Sequence, residues 1–82
     1  MSLPDLHTLE CFLALSKHLN FREAARSVYL SPAAFGERIK SLEIELGGSL
    51  FERTTRKVSL TGLGARLIPH ARRLIQEGWR WK

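Results

Sequence analysis

A single cysteine, Cys11, rules out an intramolecular disulfide framework in this 82-residue chain and is typical of a reducing compartment. No apolar run reaches the length of a membrane span, and the first five residues carry neither the basic nor the apolar stretch of a secretory signal. Low-complexity linkers and internal repeats are also absent. These absences predict one small cytoplasmic domain, and a domain of this size often gains stability from a partner subunit.

Acidic residues are nearly absent from the last third of the chain. Residues 53–82 hold eight basic residues and one acidic residue, Glu77, which gives this part a charge of +7. Residues 1–52 hold five basic and seven acidic residues, which gives −2. Such asymmetry favours a polyanionic partner, nucleic acid or an anionic membrane, and a solvated basic surface is the alternative.

The residue patterns of an enzyme are missing. There is no glycine-rich phosphate loop, no pair of catalytic carboxylates, and no serine or cysteine with an evident base, so neither catalysis nor a cofactor is expected. His7, Cys11 and His18 could share one side of the first helix, away from the predicted core. Because no fourth ligand is evident, they are interpreted as surface or interface residues rather than as a metal site.

The first helix is predicted to begin near Ser2, because Ser2 and Asp5 form the pattern of a capping box and Pro4 suits a first helical turn. Leucine and phenylalanine then recur on one side, which predicts a helix that packs onto the core. Asn20 and Glu23 form a second capping pattern, which opens a short second helix.

A tight turn at residues 29–30 is predicted to lead into a third helix, with Ser31 as its N-cap and Pro32 as its first residue. The inner face predicted from the apolar spacing consists of Phe35, Ile39, Leu42 and Leu46. The outer face and its flank consist of Ala33, Gly36, Glu37, Lys40, Ser41 and Ile44. The first turns of this outer face carry small side chains, which favours close contact with a large partner over a solvated surface.

Glycines at positions 47–48 are expected to end the third helix with a left-handed cap. Residues 50–53 and 57–60 are predicted as two short strands around a basic tip at residues 54–56. The second helix, the turn and the third helix together are the pattern of a helix-turn-helix, and a hairpin beside such a motif is called a wing.

A final helix is predicted over residues 62–82, with Thr61 as its N-cap and Pro69 bending it or delaying its regular part. Apolar and small residues recur there at steps of three and four, which predicts a seam for a second helix. The residues expected to form this dimerisation seam are Leu67, Ala71, Leu74, Ile75, Gly78 and Trp79. The alternative is a basic amphipathic helix that lies on a membrane surface, with Trp79 and Trp81 as anchors.

Several motifs now combine into one pattern. They are the paired alanines after Phe21, Leu42-Glu43, Leu46-Gly47, Leu-Phe-Glu-Arg at residues 50–53, and R-T-x-R-x-V-x-L-T from Arg53 to Thr61. Together they resemble the DNA-binding domain of LysR-type transcriptional regulators. The resemblance covers nearly the whole chain, and the family's linker helix often carries a proline near position 69.

The resemblance implies a mainly α fold: a winged helix-turn-helix of three helices and a two-stranded wing, then a long C-terminal linker or dimerisation helix. Residues 1–61 would form the DNA-binding domain, with the helix-turn-helix at about 20–46 and the wing at about 50–60, and residues 62–82 the linker helix. A homodimer would read an interrupted palindrome in a promoter or operator, with the third helix in the major groove and the wing in the minor groove. A tetramer is the further expectation for a full-length protein, and no membrane partner is expected.

The start of the third helix departs from the family. The family usually has Ser-Gln-Pro-Ala-Leu-Ser-Arg-Gln there, whereas residues 31–38 are Ser-Pro-Ala-Ala-Phe-Gly-Glu-Arg. Glutamine and arginine read adenine and guanine, whereas Pro32 and Ala33 offer only apolar contact and Glu37 could accept a hydrogen bond from cytosine N4. The base preferences of the family are therefore not carried over.

Basic side chains are expected to supply charge to the DNA phosphates or grooves, and Arg22 and Ser31 to position the motif on the backbone. The full set of expected DNA-binding residues is Arg22, Ser31, Pro32, Ala33, Gly36, Glu37, Lys40, Arg53, Arg56 and Lys57. The rival interpretation is a winged-helix module that binds protein or dimerises without sequence-specific DNA binding. A flat outer helix face and an exposed Ile44 would also suit that role.

Overall fold

The computed structural model describes residues 5–77, which fold into four helices and one two-stranded antiparallel ribbon. The elements are α1 (Leu6–His18), α2 (Phe21–Ser27), α3 (Pro32–Leu46), β1 (Phe51–Arg53), β2 (Val58–Leu60) and α4 (Gly62–Gln76). The winged helix-turn-helix expected from the sequence is thereby confirmed. The predictions on Ser2, Pro4, Gly78, Trp79 and Trp81 lie outside the described residues.

Each of the four helices begins at a side chain that accepts a hydrogen bond from the backbone N–H three residues later. Asn20 accepts from Glu23, Ser31 from Ala34 and Thr61 from Gly64, as the sequence predicted. The prediction for α1 was wrong, because Asp5 is the N-cap itself rather than the third residue of a helix begun at Ser2.

The Asp5 carboxylate has two kinds of partner at the start of α1. Its Oδ1 accepts from the Thr8 N–H at 2.8 Å and lies 3.5 Å from Arg38 Nη1 on α3. The hydrogen bond from Thr8, reinforced by the charge of Arg38, lowers the pKa of Asp5 below its ordinary value. The cap of α1 is thus also a contact to α3.

The core lies between α1 and the other three helices. Its largest members are buried side chains of α1 (Leu9, Phe12, Leu15), of α3 (Phe35, Ile39, Leu42) and of the wing root (Leu50, Phe51). The Phe12 and Phe51 ring centroids are 5.7 Å apart, so the strand β1 is anchored directly on α1. Ala24 and Ala25 are fully buried and let α2 pack closely against its neighbours.

Cys11 is fully buried, which corrects the expectation that it lies on the outer side of α1. The reason is that α1 packs against α2, α3 and α4, so its buried sector is wider than one apolar stripe. Burial raises the pKa of the Cys11 thiol, whereas His18 is exposed. Across residues 5–77 no three histidine, cysteine or acidic side chains come together as a metal site.

Leu46 is 42% exposed, which corrects its assignment to the inner face of α3. Gly47 directly follows it with a φ of 75° and ends the helix, as predicted for a left-handed glycine cap. The chain turns away at this point, so the last turn of α3 extends past the core.

α4 runs without interruption through the exposed Pro69, so the proline does not delay its regular part. Its inner side carries the small buried residues Gly64 and Ala71, which allow α4 to approach the wing root and α1. In the described part of the chain, none of the helices has both the length and the apolar character needed to cross a membrane.

Candidate nucleic-acid interface

α3 has one face in the core and one face in solvent. Phe35, Ile39 and Leu42 are buried, whereas Ala33 and Lys40 on the opposite side are exposed. The edge-to-face contact between Phe35 and Phe21, with ring centroids 5.9 Å apart, holds α3 against α2. The helix is therefore fixed from behind and presents a free outer surface.

An open groove lies between this outer surface and the first wing strand. It is lined by Pro32, Ala33, Gly36, Glu37, Lys40, Glu43 and Arg53. Six of these seven residues belong to the set expected from the sequence to bind DNA. The structure thus brings the helix residues and the first wing arginine to one surface.

Glu43 is the groove residue that the sequence interpretation missed. Its Oε2 accepts hydrogen bonds from the backbone N–H groups of Leu50 at 2.8 Å and Phe51 at 3.3 Å. Leu50 is fully buried, so its N–H needs this acceptor. An acidic residue one position after the core Leu42 was the available signal, but its partners lie seven and eight residues further along the chain.

Arg53 projects into the same groove but has partners within the chain. Its guanidinium carbon lies 4.6 Å from the centroid of the Phe21 ring, and its Nη2 lies 4.0 Å from Glu43 Oε1. The side chain remains 47% exposed. Arg53 therefore links α2, α3 and the wing while keeping part of its charge in the groove.

The tip of the wing carries two further cations outside the groove, Arg56 and Lys57, and both are exposed. The Thr54 hydroxyl accepts the backbone N–H groups of Arg56 at 3.2 Å and Lys57 at 3.1 Å, and the Thr54 N–H donates to the Lys57 carbonyl. These bonds define the turn between strands paired in the register Phe51 to Leu60. The turn presents both cations to solvent.

Arg22 and Ser31 lie at the starts of α2 and α3, outside the groove lining. Arg22 is exposed. Ser31 is exposed too, and its hydroxyl accepts from the Ala34 N–H at 3.1 Å, so it already has a structural role as a cap.

The expected dimerisation residues on α4 occupy different environments. Ala71 is fully buried in the chain's own core, whereas Leu67, Leu74 and Ile75 are half-buried and pack against it. The half-buried side chains are therefore the ones that a second helix could reach. Gly78 and Trp79 lie outside the described residues.

A protruding helix beside a basic hairpin suits a long, grooved polyanion. The 15 residues of α3 span about 22 Å, and the DNA major groove, about 12 Å wide, admits one α-helix. Small residues at the start of α3 let its backbone approach closely, and the wing cations lie to one side. The arrangement offers no enclosed cavity for a small molecule within this groove.

Known proteins share both the sequence and this geometry. A family model described as the lysR family of bacterial regulatory helix-turn-helix proteins matches residues 6–65. The HTH-type transcriptional regulator YbhD of Escherichia coli strain K12 is 42% identical over 73 residues, which are 89% of this chain and 23% of that protein.

Some of the solved structures with the same fold contain DNA. Vibrio fischeri DarR in complex with DNA matches with a TM-score of 0.87 and 34% identity, over 94% of this chain and 26% of DarR. The CbnR DBD in complex with DNA matches with a TM-score of 0.86 and 29% identity, over 93% of this chain and 87% of that domain.

The chain spans about a quarter of the length of the curated relatives that it matches, for example 23% and 26%. The family model covers α1, the helix-turn-helix, the wing and the start of α4, and so includes α3 and β1, the two elements that line the groove. The resemblance noted in the sequence is confirmed: the chain belongs to the LysR family of bacterial regulatory helix-turn-helix proteins.

Proposed function

We propose that this chain binds double-stranded DNA sequence-specifically, as the DNA-binding domain of a bacterial transcriptional regulator that acts at a promoter or operator. The observation that carries the proposal is the outer face of α3, which has no packing role and faces a groove shared with the wing. The α3 helix enters the major groove, and the wing tip reaches the adjacent minor groove. DarR and the CbnR DBD, both solved with DNA, support this assignment.

The two parts of the chain have different roles, DNA binding and dimerisation. Residues 1–61 form the DNA-binding part, and residues 62–82 form a linker helix that pairs two chains, so that a homodimer reads an interrupted palindrome. Half-buried apolar side chains on α4 support pairing. The protein acts in the cytoplasm without catalysis, and a longer form of it assembles as a tetramer.

The first experiment measures binding of the chain to a duplex of random sequence as a function of salt. Contacts to phosphates release counterions, so the affinity should fall linearly with salt on logarithmic axes. Selection of bound sites from a random duplex library should then yield two related half-sites. Binding that is absent, or that does not depend on salt, would overturn the proposal.

A protein-binding module is the second candidate function, and one observation favours it. Ile44 is 71% exposed on the outer face of α3, and Leu46, which is 42% exposed, lines a separate groove with Leu63 and Leu67 of α4, so apolar side chains are open to contact at both places. Sedimentation analysis of the chain with and without duplex separates the two candidates. A dimer that ignores duplex DNA supports the protein module, whereas a complex of two chains and one duplex supports DNA binding.

A further inference from the structure

Glu37 is an acidic side chain on a surface that otherwise suits a polyanion. It is exposed on the outer face of α3, in the second helical turn, and it lines the groove. Within residues 5–77 its carboxylate makes no hydrogen bond or ion pair. The other carboxylate of the groove, Glu43, is fully engaged by Arg53 and two backbone N–H groups. The Glu37 carboxylate is thus the hydrogen-bond acceptor in this groove that is available to a bound partner.

The neighbours of Glu37 make it the most protruding acceptor on this face. Pro32, Ala33 and Gly36 have short or absent side chains, and a Cβ built on Gly36 would meet no atom within 4 Å. The helix backbone can therefore lie close to the floor of a DNA groove. A side chain as long as glutamate then reaches the edges of the bases, beyond the line of phosphates.

A carboxylate in the major groove can gain only from a hydrogen-bond donor, because phosphates and base acceptors repel it. The donors available there are the amino groups N4 of cytosine and N6 of adenine. Adenine N6 lies beside the acceptor N7, whereas cytosine N4 lies beside a C–H group. Cytosine is therefore the base that suits a carboxylate.

Two cations of the same groove reduce the cost of bringing this charge to DNA. Lys40 follows Glu37 by one helical turn, and Arg53 lies across the groove with half of its side chain exposed. Neither forms an ion pair with Glu37. Both can therefore contact phosphates on either side while the carboxylate faces the bases.

We propose that Glu37 determines specificity by accepting a hydrogen bond from cytosine N4 at one position of each half-site. The inference rests on the proposed DNA binding and deepens it by naming a base and the group that reads it. A solvated carboxylate with no role in base choice is the alternative that the experiment must separate.

The experiment selects half-sites from a random duplex library with the wild-type chain, Glu37→Ala and Glu37→Gln. The wild type should prefer cytosine at one position, and Glu37→Ala should lose that preference alone. Glu37→Gln should prefer adenine there, because an amide pairs with N6 and N7 of adenine. Glu10→Gln on α1 makes the same charge change outside the groove and should keep the wild-type site.

A base analogue tests the hydrogen bond directly. The selected cytosine is replaced by 2-pyrimidinone, which lacks the N4 amino group, and binding is measured for the wild type and for Glu37→Ala. The wild type should lose affinity by about tenfold, and Glu37→Ala should be nearly insensitive to the replacement. Comparison of the two proteins removes any effect of the analogue on the duplex itself.

The outcomes distinguish this inference from the proposed function. If all proteins select the same half-site, or if Glu37→Ala weakens binding equally to every sequence, Glu37 does not read a base although the chain binds DNA. If the wild type binds no duplex, both the proposed function and the role of Glu37 are overturned.

Discussion

Gly36 lies in the interior of α3, where glycine lowers stability by roughly 0.5–1 kcal/mol relative to alanine, and Gly64 lies in the first turn of α4. Their surroundings differ. A Cβ at Gly64 would collide with the Leu50 carbonyl oxygen and lie 2.8 Å from Leu60 Cδ1, whereas a Cβ at Gly36 would meet nothing. Gly64 therefore serves the packing of α4 on the wing root, and Gly36 has no packing reason to be glycine.

Replacement of glycine by alanine should thus change the free energy of unfolding in opposite directions at the two positions. Gly36→Ala should raise the free energy of unfolding by roughly 0.5–1 kcal/mol, because alanine favours the helix and has room. It should also weaken duplex binding, because the added methyl group keeps the α3 backbone further from the floor of the DNA major groove. Gly64→Ala should lower the free energy of unfolding through steric overlap.

Urea denaturation and duplex binding of both variants test this pair of expectations. Gly36→Ala with unchanged affinity would show that the α3 backbone does not approach DNA closely at this position. A stable Gly64→Ala would mean that α4 can shift away from Leu50 without loss.

At the scale of elements, Glu43 connects the recognition helix α3 with the wing. Its carboxylate accepts from two N–H groups at the entry to β1 and lies near Arg53, which in turn covers the Phe21 ring on α2. The relative position of α3 and the wing therefore depends on this one side chain and its partners.

Glu43→Ala should lower the free energy of unfolding by about 1–3 kcal/mol, because the buried N–H of Leu50 loses its acceptor. Glu43→Gln keeps an acceptor oxygen and should cost less. Amide hydrogen exchange at Leu50 and Phe51 should become faster in Glu43→Ala, and urea denaturation measures the loss. Equal stability of wild type, Glu43→Gln and Glu43→Ala would contradict the connecting role.

Signals contained within a few residues were sufficient to predict most elements. The caps Asn20, Ser31 and Thr61 and the left-handed Gly47 depend on the three or four residues around them. The two strands are one residue shorter at their first end than predicted, at Phe51–Arg53 and Val58–Leu60.

Features that depend on partners distant in the chain could not be predicted from the sequence. Cys11 is buried because α1 packs against three other helices, so the buried part of its surface is wider than local periodicity indicates. Asp5 begins α1 with help from Arg38, which lies 33 positions later, and Glu43 engages a strand that follows two glycines. The exposed outer face of α3 was predictable because exposure there follows from the helix period alone.

At the scale of the molecule, charge is distributed unevenly over the surface. The exposed cations Arg56 and Lys57 lie on the wing tip, whereas Arg72 on α4 lines a separate groove with Leu13, Ser16, Lys17 and Ile68. The wing cations are on the hairpin beside the exposed outer face of α3, and Arg72 faces α1. A positive charge on the wing tip should therefore contribute more to DNA binding than the same charge at Arg72.

Arg56→Ala should weaken binding to duplexes of any sequence and reduce the logarithmic salt slope by about one unit. Arg72→Ala removes the same charge and should leave the slope nearly unchanged. Fluorescence anisotropy across a range of salt concentrations gives both slopes. Equal effects of the two substitutions would indicate that net charge, and not the position of the wing, governs binding.

The division of α3 into a buried and an exposed face also bears on evolution. Phe35, Ile39 and Leu42 hold the helix in place, whereas the exposed groove residues Pro32, Ala33, Glu37 and Lys40 are not part of the core. The preferred DNA sequence can therefore change through successive substitutions at the exposed positions, and each variant along the way should still fold. The exposed face of α3 from another family member should likewise be accepted here without disturbing the core.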